Sequence, residues 1–186
     1  MPDNIFIGLA SLQRDAAAGR GLPPVERWNP AHCGDVDIAI AKDGTWFHRG
    51  TPIGRKELVR LFSTILRKDP DGFCLVTPAE KMRITVEDAP FVAVLMDVEG
   101  SGRAQQLTFT TNVGDLVTAG PDNRIRVVTG PHTDEPAPYL HVRRGLEARI
   151  SRAVFYQLAD LAVPGDQQGL LGVWSGGLFF TLGKVA

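Results

Sequence analysis

The sequence predicts an α+β chain of two small, strand-rich domains, and three observations carry that prediction. Short segments of alternating apolar and polar residues recur along most of the chain, each bounded by Gly, Pro, Asn or Asp. Few stretches carry the i, i+3, i+4, i+7 stripe of a core-facing helix. Part of the chain also repeats, with a strand, a helix and a further strand in each half.

The elements follow in order. Residues 4–18 predict an amphipathic helix, with Asp3 at its start and Gly19 at its end, so that 1–21 form an N-terminal helix and arm. The first α+β domain, 22–88, begins with the proline-containing "GLPPVERWNPAHCGD" and the alternating strand "DVDIAIA". Asp43-Gly44 supplies a turn, and "TWFHR" pairs back as a hairpin. Thr51 and Pro52 fit an N-cap and first helical position, and Leu58, Leu61, Phe62 and Ile65 give the helix its apolar stripe until Asp69-Pro70 stops it. "FCLVT" and "MRITV" read as two more strands on either side of Pro78.

A boundary falls near Glu87–Pro90. The second domain, 89–186, opens as a β-meander, "FVAVLMDV", "QQLTFTT", "DLVTA" and "RIRVV", joined by turns rich in Gly, Asn and Asp. The loop "TGPHTDEPAP", which holds His132, leads to the strand "YLHVR". A helix is then predicted from about Glu147 to Ala162, with Ile150, Val154, Leu158 and Leu161 on one face. "LLGVWSGGLFFTLG" closes the chain as two strands around a Ser-Gly-Gly turn. Displacing the sequence by 93 positions sets Trp46-x-His48 on Tyr139-x-His141, Lys56 on Arg149, Leu61 on Val154 and Ile65 on Leu158.

Composition narrows the function. The 186 residues hold 44% apolar and 22% charged side chains, as an ordinary globular protein does. With 20 basic against 21 acidic residues and a net charge of -1, the chain lacks the cation surplus that coating a long nucleic acid requires. No apolar run approaches the roughly eighteen residues of a membrane helix. The N-terminus has an acidic residue where a signal peptide carries Lys or Arg, only two cysteines occur and no glycosylation sequon is present; a cytoplasmic location is expected.

The sequence has no Gly-x-x-x-x-Gly-Lys loop, His-Glu-x-x-His, Cys-x-x-Cys or Gly-x-Ser-x-Gly, so no catalytic residue and no cofactor is implied. "GSGRAQ" lacks the third glycine of a dinucleotide fingerprint and joins two strands as a hairpin turn. His32, Cys33, Asp35 and Asp37 are close in sequence, but the adjacent His and Cys diverge on extended backbone, and no metal site is expected. His48 and His141 share strand faces with Trp46 and Tyr139, which fits either half-buried core histidines or ligand contacts near neutral pH.

Cations give the sharper signal. Arg55 and Lys56, and Arg143, Arg144, Arg149 and Arg152, cluster at the two predicted helix starts, where free N–H groups and guanidinium forks suit an anion. Structural ion pairs with Glu57, Glu80, Asp88 or Glu147 are the competing explanation. "TPAEKMRITVEDAP" brings Glu80, Lys81, Arg83 and Asp88 to the connector between domains, where ligand clefts are common and where solvated charges are common too.

"NPAHCGDVDIAIAKDGTWFHRGTPIGRKELVRLFSTIL", "DGFCLVTPAEKMRITVEDAPF" and "HVRRGLEARISRAVFYQLADLA" with "GVWSGGLFFTLG" together resemble the bacterial domain-of-unknown-function family numbered 1285, over nearly everything from Leu22 onward. The resemblance implies two α+β halves built on a duplicated motif, the second superficially like a pleckstrin-homology fold. It implies a cleft between them for a nucleotide-like ligand and a role in signalling, and it brings no catalytic residues. The expectation is therefore a sensor that binds a small anionic ligand between its domains. Arg55, Lys81, Arg143 and Arg149 would meet negative charge, and Trp46 and His48 would shape the organic part. A protein-interaction module without a small ligand is the alternative; an enzyme using His48, His141 and a carboxylate ranks third.

Overall fold

The structure is a computed structural model and describes residues 21–130, 133–167 and 169–184. The expected helix over 4–18 and His132 lie outside them. The chain divides into two compact units at Asp88/Ala89.

In the first unit, a 3-10 turn at Val25–Arg27 precedes β1 (His32–Ile40), β2 (Trp46–His48), β3 (Thr51–Pro52), α1 (Lys56–Thr64), β4 (Leu66–Asp69), β5 (Gly72–Val76) and β6 (Glu80–Val86). One six-stranded sheet has the order β3-β2-β1-β6-β5-β4. β6 lies parallel to β1, and every other pair is antiparallel. That parallel pair needs a crossover, which α1 supplies. Ile38, Ile40, Trp46, Phe62, Ile65, Leu66 and Leu75 are buried, and the Trp46 and Phe62 rings stack at 6.2 Å between centroids. Burial of each such side chain stabilises by about 2 kcal/mol.

Two expectations change here. Thr51 and Pro52 form an edge strand rather than a helix start, because Arg49 (φ 49°) and Gly50 (φ 74°) make a two-residue turn that folds them back onto Phe47 and His48. α1 therefore begins at Lys56 and ends at Thr64, before Asp69-Pro70, and "LRKD" continues as β4. Asp69-Pro70-Asp71-Gly72 turns β4 into β5, with proline at the second position and glycine at the fourth.

In the second unit run β7 (Phe91–Glu99), β8 (Gln106–Thr111), β9 (Leu116–Thr118), β10 (Ile125–Gly130), β11 (Thr133–Arg143), β12 (Leu146–Ile150), α2 (Arg152–Asp160), β13 (Val163–Pro164), β14 (Leu170–Ser175) and β15 (Leu178–Lys184). The first six strands form a sheet ordered β10-β11-β12-β7-β8-β9, and the last three a separate small sheet. Ser175 ties the two together: its buried hydroxyl accepts from the Leu107 N–H at 2.9 Å and donates to the Ala119 carbonyl at 2.7 Å. The predicted helix start at Glu147 is corrected. Leu146, Ala148 and Ile150 alternate inward on a strand, and the helix begins only after Ser151, whose hydroxyl caps the Val154 N–H at 3.4 Å.

Each unit thus contains three antiparallel strands, the last two joined by an Arg-Gly turn, then a helix, then a three-stranded meander. No helix among the described residues is long and apolar enough to cross a membrane.

Candidate functional site

The first sheet has one apolar face and one charged face. Register sets Arg67 opposite Cys74, Cys74 opposite Arg83 and Arg83 opposite Asp35, so these four side chains share a row across β4, β5, β6 and β1. Lys81 opposes Val76 and Cys33 on the same face. At the β4 end, Arg67 grips Asp69 with two bonds, Nε to Oδ1 at 2.6 Å and Nη2 to Oδ2 at 2.9 Å, and Lys81 Nζ adds a third at 3.1 Å. Arg67 Nη1 also donates to the Val25 and Trp28 carbonyls, pinning the chain that leads into β1. The Arg67 guanidinium, against the cost of burial, holds the Asp69 carboxyl down at about 2. Lys81 is raised in turn by Asp69.

At the β1 end this face is open. Arg83 Nη2 donates to Asp71 Oδ2 at 3.0 Å, and Arg83 Nε stands 3.8 Å from Asp35 Oδ1. Asp35, Asp71, Lys81 and Arg83 line a concavity of about 330 Å³, together with Cys33, Cys74 and Phe73. The two thiols differ. Cys33 is exposed, whereas burial pushes Cys74 up to about 11 and keeps it protonated. Among the described residues, no group of three or more His, Cys, Asp and Glu could hold a metal ion.

The residues singled out from sequence are distributed as follows. Lys81 is on the wall of this concavity, on a strand in the middle of the sheet rather than on a connector. Trp46 is 1% exposed in the core and cannot stack on a ligand. Its indole Nε1 has no hydrogen-bond partner there. His48 ends β2, half-buried, beside Ile38 and Thr51. Arg55 is the exposed residue preceding α1, and its backbone, not its side chain, serves the helix start. In the second unit, Arg143 is bonded to Asp115 and lies 5.0 Å over the Phe91 ring. Arg149 is a strand residue rather than a helix-start residue, and donates to the Tyr139 hydroxyl at 3.2 Å. Tyr139 is half-buried with Arg126 4.4 Å over its ring, unlike the buried Trp46 with which the repeat aligns it.

His141 is fixed by its own hairpin. The Gly145 N–H donates to Nε2 at 3.1 Å, which leaves Nδ1 as the protonated nitrogen, donating to the Asp122 carbonyl at 2.8 Å. The ring therefore latches a turn and has no nitrogen left for proton transfer.

The family model described as the N-terminal domain of DUF1285, a domain of unknown function, matches residues 23–89, and that of the C-terminal domain matches 90–182. The chain belongs to the DUF1285 family. A DUF1285 protein of Silicibacter pomeroyi DSS-3 with a solved crystal structure is 54% identical, with a TM-score of 0.83 over 91% of this chain and 94% of that one. A DUF1285 crystal structure from Shewanella baltica OS155 is 28% identical, with a TM-score of 0.52 over 67% of this chain and 91% of its own. None of the curated proteins matches significantly.

Within this DUF1285 chain, Arg67, Asp69 and Asp71 are the site residues that sequence reasoning missed. Their signal was present in part, since "RKDPDG" reads as a charged tight turn. That turn draws attention only once β5 is known to pair with both β4 and β6.

Proposed function

We propose that this DUF1285 chain is a non-catalytic, cytoplasmic binding protein that senses a small ligand bearing an anionic group, held in the concavity of the first unit by Lys81 and Arg83. The observation that carries the reading is the placement of Arg83 at 3.0 Å from Asp71 on the wall of that concavity, beside Lys81. Both cations are oriented beforehand by carboxylates, so little side-chain ordering remains when a ligand arrives. The engagement of both His141 nitrogens and the protonated state of Cys74 take those two side chains out of acid–base and thiol chemistry. Two unbridged cysteines suit a reducing compartment.

The test is a thermal-shift panel of nucleotides, organic acids and amino acids on the full chain. The reading expects at least one stabilising compound whose effect disappears in Arg83→Ala. A shift that Arg83→Ala leaves intact would overturn the role of this site.

A protein-interaction module is the second reading, and the exposed Leu95 and Leu116 favour it. They share a face of the second sheet through Thr110, and β9 is an edge strand open to β-augmentation. Under that reading the ligand panel is blank, and Leu116→Asp abolishes binding of a purified partner.

A further inference from the structure

We infer that the ligand of this concavity is a small zwitterion of the free amino acid type, with one anionic and one cationic group a few bonds apart. The inference rests on the proposed binding role and deepens it, and it comes from the charge balance of the walls.

Four charged side chains line the concavity, Asp35, Asp71, Lys81 and Arg83, and their formal charges cancel. They are also already paired. Lys81 holds Asp69, and Arg83 holds Asp71, with Asp35 on its other side at 3.8 Å, too far for a hydrogen bond. A ligand entering here exchanges partners rather than filling an unpaired hole.

That exchange decides the ligand's charge. A simple anion that draws Arg83 away leaves Asp35 and Asp71, which both lie against its guanidinium, without their shared cation, and that uncompensated negative charge opposes binding. A simple cation held by the same two carboxylates leaves Arg83 without its partner. A ligand with both signs leaves nothing unmatched: its carboxylate takes Arg83, with Lys81 alongside, and its ammonium replaces the guanidinium between Asp71 and Asp35. The side chains of Asp35 and Asp71 are 82% and 54% exposed, so both reach an incoming ammonium without any rearrangement of the sheet.

Size agrees with charge. At about 330 Å³ the concavity is at the small end of the range for small-molecule sites. Cys33 and Cys74 supply a limited apolar wall, enough for one short side chain. Because the charged groups are partly solvated, each contact is individually weak and the affinity falls in the micromolar to millimolar range.

Isothermal titration calorimetry on the full chain tests this. The probes are the standard amino acids, with propionate and propylamine as single-charge controls and inorganic phosphate and AMP as anions. At least one amino acid is expected to saturate the site, with both single-charge controls weaker by about tenfold or more. Asp35→Asn, Asp71→Asn and Arg83→Gln are each expected to weaken that amino acid by a similar factor while melting as folded proteins. Asp35 is so exposed that Asp35→Asn leaves folding untouched and keeps the test decisive. Saturable, Arg83-dependent binding of phosphate or AMP with no amino acid binding would overturn the zwitterion inference and leave the binding role standing. A blank for every probe, or binding indifferent to Arg83→Gln, would overturn both.

Discussion

The two units of this DUF1285 chain have the same core order of elements and put its last strand to different use. In the first, β6 inserts beside β1 and completes one six-stranded sheet. In the second, the corresponding strand, β15, packs against β10 yet stays in a separate three-stranded sheet. Insertion gives the first unit a continuous charged face, because β6 brings Lys81 and Arg83 between the Cys74 strand and the Asp35 strand. Separation gives the second unit a tightly packed aromatic corner, where Phe179 stands edge-on to Trp174 at 5.3 Å and Gly172 leaves no room for a side chain. One duplicated plan has therefore yielded a face able to hold charge and a corner built for packing.

The packing half of that contrast predicts the largest effect. A Cβ on Gly172 would stand 2.2 Å from the Phe180 carbonyl oxygen and 2.7 Å from the Phe179 ring, while one on Gly34 meets only the flexible tip of Met82 at 3.4 Å. Gly172→Ala should cost about 3 kcal/mol or more, and Gly34→Ala less than about 1 kcal/mol, by urea denaturation. Equal costs would break the contrast.

Next comes the ion-pair end of the charged face. Asp69 titrates at about 2 when folded, against 3.8 ordinarily, which corresponds to about 2 kcal/mol of stability. A lowered carboxyl pKa stabilises the fold fully above the unfolded value and loses that contribution as pH falls through the folded one. Asp69→Asn should therefore be about 2 kcal/mol less stable at pH 7 than the parent. The two should converge as pH drops from 4 toward 2. A constant gap across that window would show that the carboxylate's charge is not what matters.

Smaller effects test the shared plan. Arg49 and Arg144 hold positive φ of 49° and 50° in the matching hairpins, a region in which Asn is better tolerated. Arg49→Asn and Arg144→Asn should change stability in the same direction and by similar amounts in urea denaturation, which would mark the turns as equivalent. Smallest in energy but clear in readout is the thiol pair. One equivalent of a thiol reagent should react with native protein at Cys33, and Cys74 should react only on unfolding.

Much of this architecture was legible in the sequence. Alternation marked β1, the turns rich in Gly, Asn and Asp marked β7 and β8, and the 93-residue displacement exposed the duplication, although its Trp46/Tyr139 pairing joins a core residue to an outer-face one. Helix starts were misread for a physical reason. Leu146–Ile150 satisfies a strand's period and also extends the stripe of the helix after it, and the Arg-Gly turns that decide between them need a positive φ that arginine does not advertise. The site was half visible. Lys81 and Arg83 stood out as charges, but their partners Asp35, Asp69 and Asp71 come from other strands and turns, and only cross-strand register brings them together.

The central claim, that the charged face of the first unit is the binding surface, meets its most direct test in a backbone amide NMR titration of the full chain with the standard amino acids, phosphate and AMP. The account predicts saturable shifts concentrated at Gly34–Asp35, Asp71–Phe73 and Lys81–Arg83, lost in Arg83→Gln. Saturable shifts confined to residues 89–184, or none with any probe, would contradict it.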